Sequence, residues 1–293
     1  MNPPGKKFRQ AIADNNPLIV VGAVNAYCAK MAEKAGHKSL YLSGSGVATA
    51  SFGLPDLAIT TSHDVAEDSR RITQATSLPL LVDIDTGFGG AFSISRTIKE
   101  MIAADVAAVH IEDQVTQKRC GHRPNKSLVD TIEMSDRIKA AVDGRTDDSF
   151  FIMARTDSYA TEGMNGAIER CKEYISAGAD GLFLEAVSNL EDYKQLKDVL
   201  QVPVLANITE FGKTPLFTAE ELASVGVDIM LFPLSAFRAM NKAAESVYQD
   251  IAANGSQINS VKKMQTRDEL YEYLNYHSFE QKLDELFIRK ENK

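Results

Sequence analysis

Cysteine is scarce in this chain: Cys28, Cys120 and Cys171 are the only three in 293 residues, and they lie far apart. So few scattered thiols exclude a disulfide scaffold and agree with a reducing compartment. No apolar run approaches the roughly 20 residues that a bilayer span needs, so no membrane helix is expected. The opening Met1-Asn2-Pro3-Pro4-Gly5-Lys6-Lys7 is followed by no signal-type apolar segment, and the expected address is cytoplasmic. Basic charge is in deficit as well. A formal net charge of −8 argues against a nucleic-acid partner, which calls for a basic face, and means that an anionic substrate needs a locally positive site. Low-complexity segments are absent, and no glycine-rich dinucleotide fingerprint follows the first apolar run.

What is present is a long, evenly mixed chain, 44% apolar and 25% charged, enough for a large core. Apolar strand-like runs recur at 19–24, 39–43, 78–83, 108–112, 150–155, 181–185, 202–207 and 228–233, with helical patterns between most of them. Helix-start signals stand at Ser62, at Asp130 with Glu133, and at Thr218 with Glu221. Eight βα units over about 250 residues fit a (β/α)8 barrel better than an open doubly wound sheet. The barrel is expected over residues 1–254. A C-terminal helical extension is expected over 255–293, where Leu270, Tyr273, Leu274, Tyr276, Phe279, Leu283, Leu286 and Phe287 recur at helical spacing and must pack on something.

Polar residues close each run: Asn25, Ser43, Asp83 with Asp85, Glu112, Arg155 with Asp157, Glu185, Asn207 with Thr209, and Ser235. Each alone could be a helix cap or turn residue, but in a barrel these ends meet on the catalytic face. Asp83 and Asp85 are two apart, so in an extended segment both carboxylates face one way. Such a pair suits a hard divalent cation, most simply Mg2+, with Glu112 and Glu185 able to complete the outer shell. The other reading of the pair is a cap for the next helix.

The densest chemistry lies after the fourth run, in Lys118-Arg119-Cys120-Gly121-His122-Arg123-Pro124-Asn125-Lys126. Neighbouring positive charge lowers a thiol's pKa, and Gly121 leaves room for a small anion, so a reactive Cys120 is one reading. A solvent-facing basic loop with an incidental cysteine is the other. Zinc is disfavoured, because Cys-x-His has no second closely spaced ligand pair. The glycine and the charges also suit a lid that closes over substrate.

This loop resembles the signature of the 2-methylisocitrate lyases, within the isocitrate lyase and phosphoenolpyruvate mutase superfamily. Tyr41-Leu42-Ser43-Gly44, Gly53-Leu54-Pro55-Asp56, Ile152-Met153-Ala154-Arg155-Thr156-Asp157, Leu205-Ala206-Asn207-Ile208-Thr209 and Pro233-Leu234-Ser235-Ala236-Phe237-Arg238 are similar to the family in family order. Arg119 stands where isocitrate lyases proper carry a second lysine. The resemblance implies Mg2+-dependent cleavage of a small tricarboxylate, 2-methylisocitrate, into pyruvate and succinate, the last step of the methylcitrate route of propionate breakdown, with Mn2+ as an alternative ion.

By that resemblance Cys120 is the general acid, Asp83 and Asp85 hold the metal, and Glu112 and Glu185 support it, Glu185 also counting among the substrate-binding residues. Ser43, Gly44, Ser45 and Arg155 bind the pyruvate side. Gly121, His122, Asn207, Thr209, Arg238 and Arg267 hold the succinate side. It leaves the base open, with Tyr41 as a candidate. Phe183, Leu231 and Pro233 could form the recess for the methyl group or be plain barrel core. Ser45 departs from the glycine usual in the family, which would strain a positive φ there. The resemblance further implies helices exchanged between subunits of a homotetramer, against a C-terminus folded back on its own barrel. Isocitrate lyase or oxaloacetate decarboxylase activity within the superfamily, and a non-catalytic metabolite-binding barrel, are the rival readings.

Overall fold

The computed structural model describes residues 2–123 and 125–287. Pro124 of the cysteine motif and residues 288–293 of the C-terminal extension lie outside them. Eight parallel strands close into a barrel in sequence order. They are β1 (Leu18–Gly22), β2 (Ser39–Leu42), β3 (Leu80–Asp83), β4 (Ala108–Glu112), β5 (Phe151–Thr156), β6 (Gly181–Leu184), β7 (Val204–Asn207) and β8 (Ile229–Phe232). β8 returns to β1, with Leu18 opposite Ile229. Every strand lies within a residue or two of its expected run, as eight apolar segments separated by helical periods require.

The intervening helices are α2 (Ala26–Lys34), α4 (Ser62–Thr73), α5 (Ala91–Ala103), α6 (Thr131–Gly144), α7 (Tyr159–Ser176), α8 (Leu190–Val199) and α9 (Ala219–Ser224), with a one-turn α3 (Gly44–Gly46) after β2. Asp130 and Thr218 cap α6 and α9 as expected. For α4 the cap is Thr61, not Ser62: its hydroxyl accepts from Asp64 N while the Asp64 carboxylate accepts from Thr61 N, a reciprocal capping box. Asn25 also has the plain role, capping α2 by accepting from Cys28 N at 2.9 Å.

Period-2 alternation divides the core. Outward residues such as Leu40, Leu42, Val82 and Ile152 pack under the helices. Inward residues, including Leu18, Val20, Tyr41, Leu81, Ala108, Phe151, Met153, Phe183, Leu205 and Leu231, fill the barrel. The preceding helix α1 (Pro4–Asp14) closes the N-terminal end. Its Phe8 is fully buried and meets Phe151 edge-on at 5.4 Å, which contributes roughly 1.5–3 kcal/mol by burial. Arg9 fastens the plug to Ser149 O at 3.0 Å and to Asp180 at 2.9 Å. The inward rows then end in polar residues at the opposite mouth: Asp83 after Leu81, Glu112 after His110, Arg155 after Met153, Glu185 after Phe183, Asn207 after Leu205.

The chain forms two compact units, dividing between Phe237 and Arg238. The division falls inside α10 (Ser235–Asn254), earlier than the sequence pattern's boundary after residue 254, and α10 buries none of its residues. The second unit continues through α11 (Arg267–Leu274) and α12 (Tyr276–Phe287), which also bury none. Tyr271 stacks on Tyr276 at 4.2 Å between ring centres. Among the described residues no helix is long and apolar enough to cross a membrane.

Candidate active site

Asp83 ends β3 and is buried. Asp85 lies beyond the strand with a φ of 48°, so the two carboxylates do not converge through an extended pleat as the spacing suggested. They converge through a turn, in which Asp83 Oδ1 accepts from Asp85 N at 3.0 Å. An ideal Cβ on Gly44 would stand 3.0 Å from Asp85 Oδ1 and 3.1 Å from Asp83 Oδ2. Both carboxylates therefore address one small space, which glycine keeps open. Gly44 N donates to Asp83 Oδ2 at 3.1 Å, so that N–H, expected on substrate, is committed to the carboxylate pair. Ser43 is buried before α3. Ser45 lies within this short helix and is not among the residues of positive φ, so the strain expected of a serine there does not arise.

Burial would raise Asp83, but His110, Lys118, Arg155 and the Asp85 N–H outweigh it and hold the carboxyl at about 2. Asp85 is pushed up to about 7, by burial first, with Lys118 opposing and the Asp83 charge adding. Lys118, which sequence reasoning left without a role, binds the pair: its ammonium is 2.6 Å from Asp85 and 2.5 Å from Asp56 while almost fully buried. Burial works against that charge, but Asp85, Asp83 and Glu112 raise its pKa well above a free lysine's. His110, also unremarked in the sequence, is wholly buried and sits 2.9 Å from the Tyr41 hydroxyl and 3.7 Å from Asp83. Burial lowers it to about 4, so it is neutral near pH 7. Burial and then the Asp83 charge raise the Tyr41 phenol well above its usual range, which makes it a hydrogen-bonding group and a poor base.

Arg155 is the opposite pole. Its guanidinium meets Asp157 at 2.9 Å, Glu185 at 3.1 Å and Glu112 at 3.3 Å, and lies over the Phe183 ring at 5.0 Å. Phe183 and Leu231 belong to the barrel filling. Glu185 faces this side rather than the Asp83–Asp85 pair. It accepts from Ala186 N at 2.9 Å and Asn207 Nδ2 at 3.3 Å, and lies 3.1 Å from His122 Nε2. Burial would raise it, but Arg155 and then His122 win and hold it at about 2.

The cysteine loop is seated on this pole. A Cβ on Gly121 would lie 2.5 Å from Arg155 Nη2 and 2.6 Å from Glu185 Cγ, so only glycine lets the backbone approach so closely. His122 Nδ1 accepts from Lys213 N at 3.1 Å, which joins the loop to the segment after β7. Thr209, in that segment, is buried. Gln114 holds Arg119 at both its N–H, 3.0 Å, and its carbonyl, 2.9 Å. Cys120 stays exposed, whereas Cys28 and Cys171 are buried. Arg238, on α10, and Arg267, the first residue of α11, belong to the second unit.

Negative charge exceeds positive in this mouth: Asp56, Asp83, Asp85, Glu112, Asp157 and Glu185 face Lys118, Lys126 and Arg155. Asp85 Oδ1 and Glu112 Oε1 are buried without a hydrogen-bond partner, although Lys118 sits close to the first as an ion pair. Among the described residues no three His, Cys, Asp or Glu form a closed cage. A two-carboxylate, all-oxygen site therefore fits a hard divalent cation that keeps several waters, and not zinc. A separate cavity of about 720 Å³ lies beside α1, lined by Lys6, Arg9, Asp14 and Lys38 among others, at the far end from this chemistry.

A closed parallel barrel with an acidic, arginine-clamped mouth and a thiol-bearing loop defines a (β/α)8-barrel enzyme acting on small carboxylates. The chain belongs to the phosphoenolpyruvate phosphomutase family, whose model matches residues 8–252. It is 59% identical over 290 residues to the 2-methylisocitrate lyase of Vibrio cholerae, covering 97% of this chain and 94% of that one. Among solved structures, 2,3-dimethylmalate lyase superposes with a TM-score of 0.89 at 33% identity, covering 98% of this chain and 96% of that one. Phosphonopyruvate hydrolase in complex with oxalate and Mg++ superposes with a TM-score of 0.85 at 25% identity, covering 98% and 100%.

Proposed function

We propose that the chain cleaves 2-methylisocitrate to pyruvate and succinate. The observation that carries this is the docking of the Cys120 loop against Arg155 and Glu185, across the mouth from Asp83 and Asp85. The Asp pair would hold Mg2+, or Mn2+ in its place, with Glu112 in support. Bound there, the ion supplies Lewis-acid polarisation of the substrate's hydroxyl and carboxylate oxygens. Arg155, with Ser43 and Ser45, orients the pyruvate half, while Gly121, His122, Asn207, Thr209, Arg238 and Arg267 take the succinate half. As the hydroxyl loses its proton the C–C bond breaks, the carbonyl of pyruvate forms, and the electron pair is left on the succinate carbon. The Cys120 thiol delivers its proton to that carbon.

Three cysteines that form no disulfide suit the reducing cytoplasm. The bare helices α10, α11 and α12 support their exchange between subunits of a homotetramer. The test is pyruvate formation from 2-methylisocitrate beside glyoxylate formation from isocitrate, for wild type and Cys120→Ser. Pyruvate dominating, with kcat down by about 10²–10⁴ in the variant, is the expected result. Glyoxylate dominating would move the assignment to isocitrate cleavage.

A further inference from the structure

Lys126 closes the cysteine motif, yet none of the chemistry above uses it. Its side chain is only 5% exposed, although it sits on a loop. The ammonium donates to Gly121 O at 2.6 Å and to Asp157 Oδ1 at 2.5 Å. Asp157 is itself fully buried, and its other oxygen takes Arg155 Nε at 2.9 Å. One carboxylate therefore holds both the arginine of the site, through its two oxygens, and the loop lysine, through Oδ1, which also accepts from Arg155 Nη2 at 3.3 Å.

That carboxylate is fixed from below. Asp113, buried where β4 ends, accepts from Asp157 N at 3.0 Å, from the Thr156 hydroxyl at 2.6 Å and from the Tyr174 hydroxyl at 2.9 Å. The anchor is thus built from β4, β5 and α7, and does not depend on the loop. Gly121 is gripped on both sides, its Cα pressed on Arg155 and Glu185 and its carbonyl held by Lys126.

We propose that Lys126 is a positioning residue which seats the Cys120 loop on the site by tying the Gly121 carbonyl to Asp157. It acts through Gly121, one peptide from the thiol, and touches neither substrate nor reacting atoms. This rests on Cys120 being the proton donor. Displacing a reacting group by about 1 Å costs roughly 10²-fold in rate, so the latch should appear in kcat.

The test uses the full chain as wild type, Lys126→Met and Lys126→Arg, with two readouts. One is turnover of 2-methylisocitrate with Mg2+. The other is hydrogen exchange of the amides of residues 120–123, which needs no turnover. Lys126→Met should lower kcat about 10²-fold and speed exchange at least about tenfold. Lys126→Arg, which keeps a charged donor, should restore protection and at least about a tenth of kcat. Wild-type exchange in Lys126→Met would overturn the latch, whether or not its kcat fell. Should Lys126→Met not fold, equal loss of protection in a folded Lys126→Arg would count against it. A wild type that makes no pyruvate would reject the lyase reading instead, and exchange would still decide the latch.

Discussion

Glu185 shows how an ordinary carboxylate becomes part of a pH-dependent fold. Arg155 and His122 overcome its burial and hold it at about 2, below the 4.5 usual for glutamate. A depressed acid stabilises the fold fully above its unfolded pKa, and that stability is lost as pH falls from 4.5 towards 2. Over that window each such group contributes up to about 1.4 kcal/mol per pH unit. Urea unfolding at pH 5, 4 and 3 should therefore show a steep acid limb. Glu185→Gln should flatten it by about one proton's slope, and an unchanged slope would reject the Arg155–Glu185 pair as its source. Lys118 carries the complementary risk. Lys118→Met leaves the buried Asp85 and the half-buried Asp56 without their cation, and removing one partner of a buried pair costs about 3–5 kcal/mol. The urea midpoint near pH 7 should fall accordingly. In the sequence Lys118 was one cation among several in a basic loop, because nothing local signals that Asp56, sixty-two positions earlier, waits beside it.

Elements explain which parts were legible. Asp83, Glu112, Arg155, Glu185 and Asn207 could be read because each terminates an inward row of a strand, and period 2 fixes where such a side chain points. His110 was hidden inside its strand, where an imidazole among apolar neighbours looks like filling. Asp85 was read for a nearly right reason: the spacing brought it to Asp83, but a left-handed turn does the work that an extended pleat was expected to do. At α4 the neighbouring hydroxyls Thr61 and Ser62 are indistinguishable by composition, and only the backbone shows that Thr61 is the cap. Thr61→Ala should cost about 1 kcal/mol in chemical denaturation and Ser62→Ala only a few tenths, and the reverse order would refute the cap. Gly121 has a sharper requirement. Its added methyl in Gly121→Ala would meet Arg155 and Glu185 at 2.5–2.6 Å, so the loop must lift from its seat. Turnover should drop about 10²-fold with unfolding stability little changed. Wild-type kcat in Gly121→Ala would mean that the loop does not work from this docked position.

At the scale of the whole molecule, a barrel hides its apolar strands by covering each with a helix. Ile19, on the outer face of β1, is 37% exposed, and α10 to α12 bury nothing. On α12, Phe279, Leu283, Leu286 and Phe287 recur at i, i+4, i+7 and i+8, a single apolar stripe with every member more than half exposed. Contiguous apolar surface of that kind is uncommon on a monomer and marks association. Covering it with further copies of the chain accounts for the bare helices, without any change in the barrel. Sedimentation of the wild type at micromolar concentration should thus give four times the 32.1 kDa of one chain. Phe279→Asp combined with Leu283→Asp should shift it to smaller species while far-ultraviolet dichroism keeps its barrel signature. A wild type that sediments as a single chain would leave the stripe to some other partner and would remove the argument for exchanged helices. A smaller species in the variant that still makes pyruvate at the wild-type rate would show that each barrel carries its own complete site. Loss of turnover on dissociation would instead mean that residues of the second unit, Arg238 and Arg267 foremost, reach the substrate only in the assembled form.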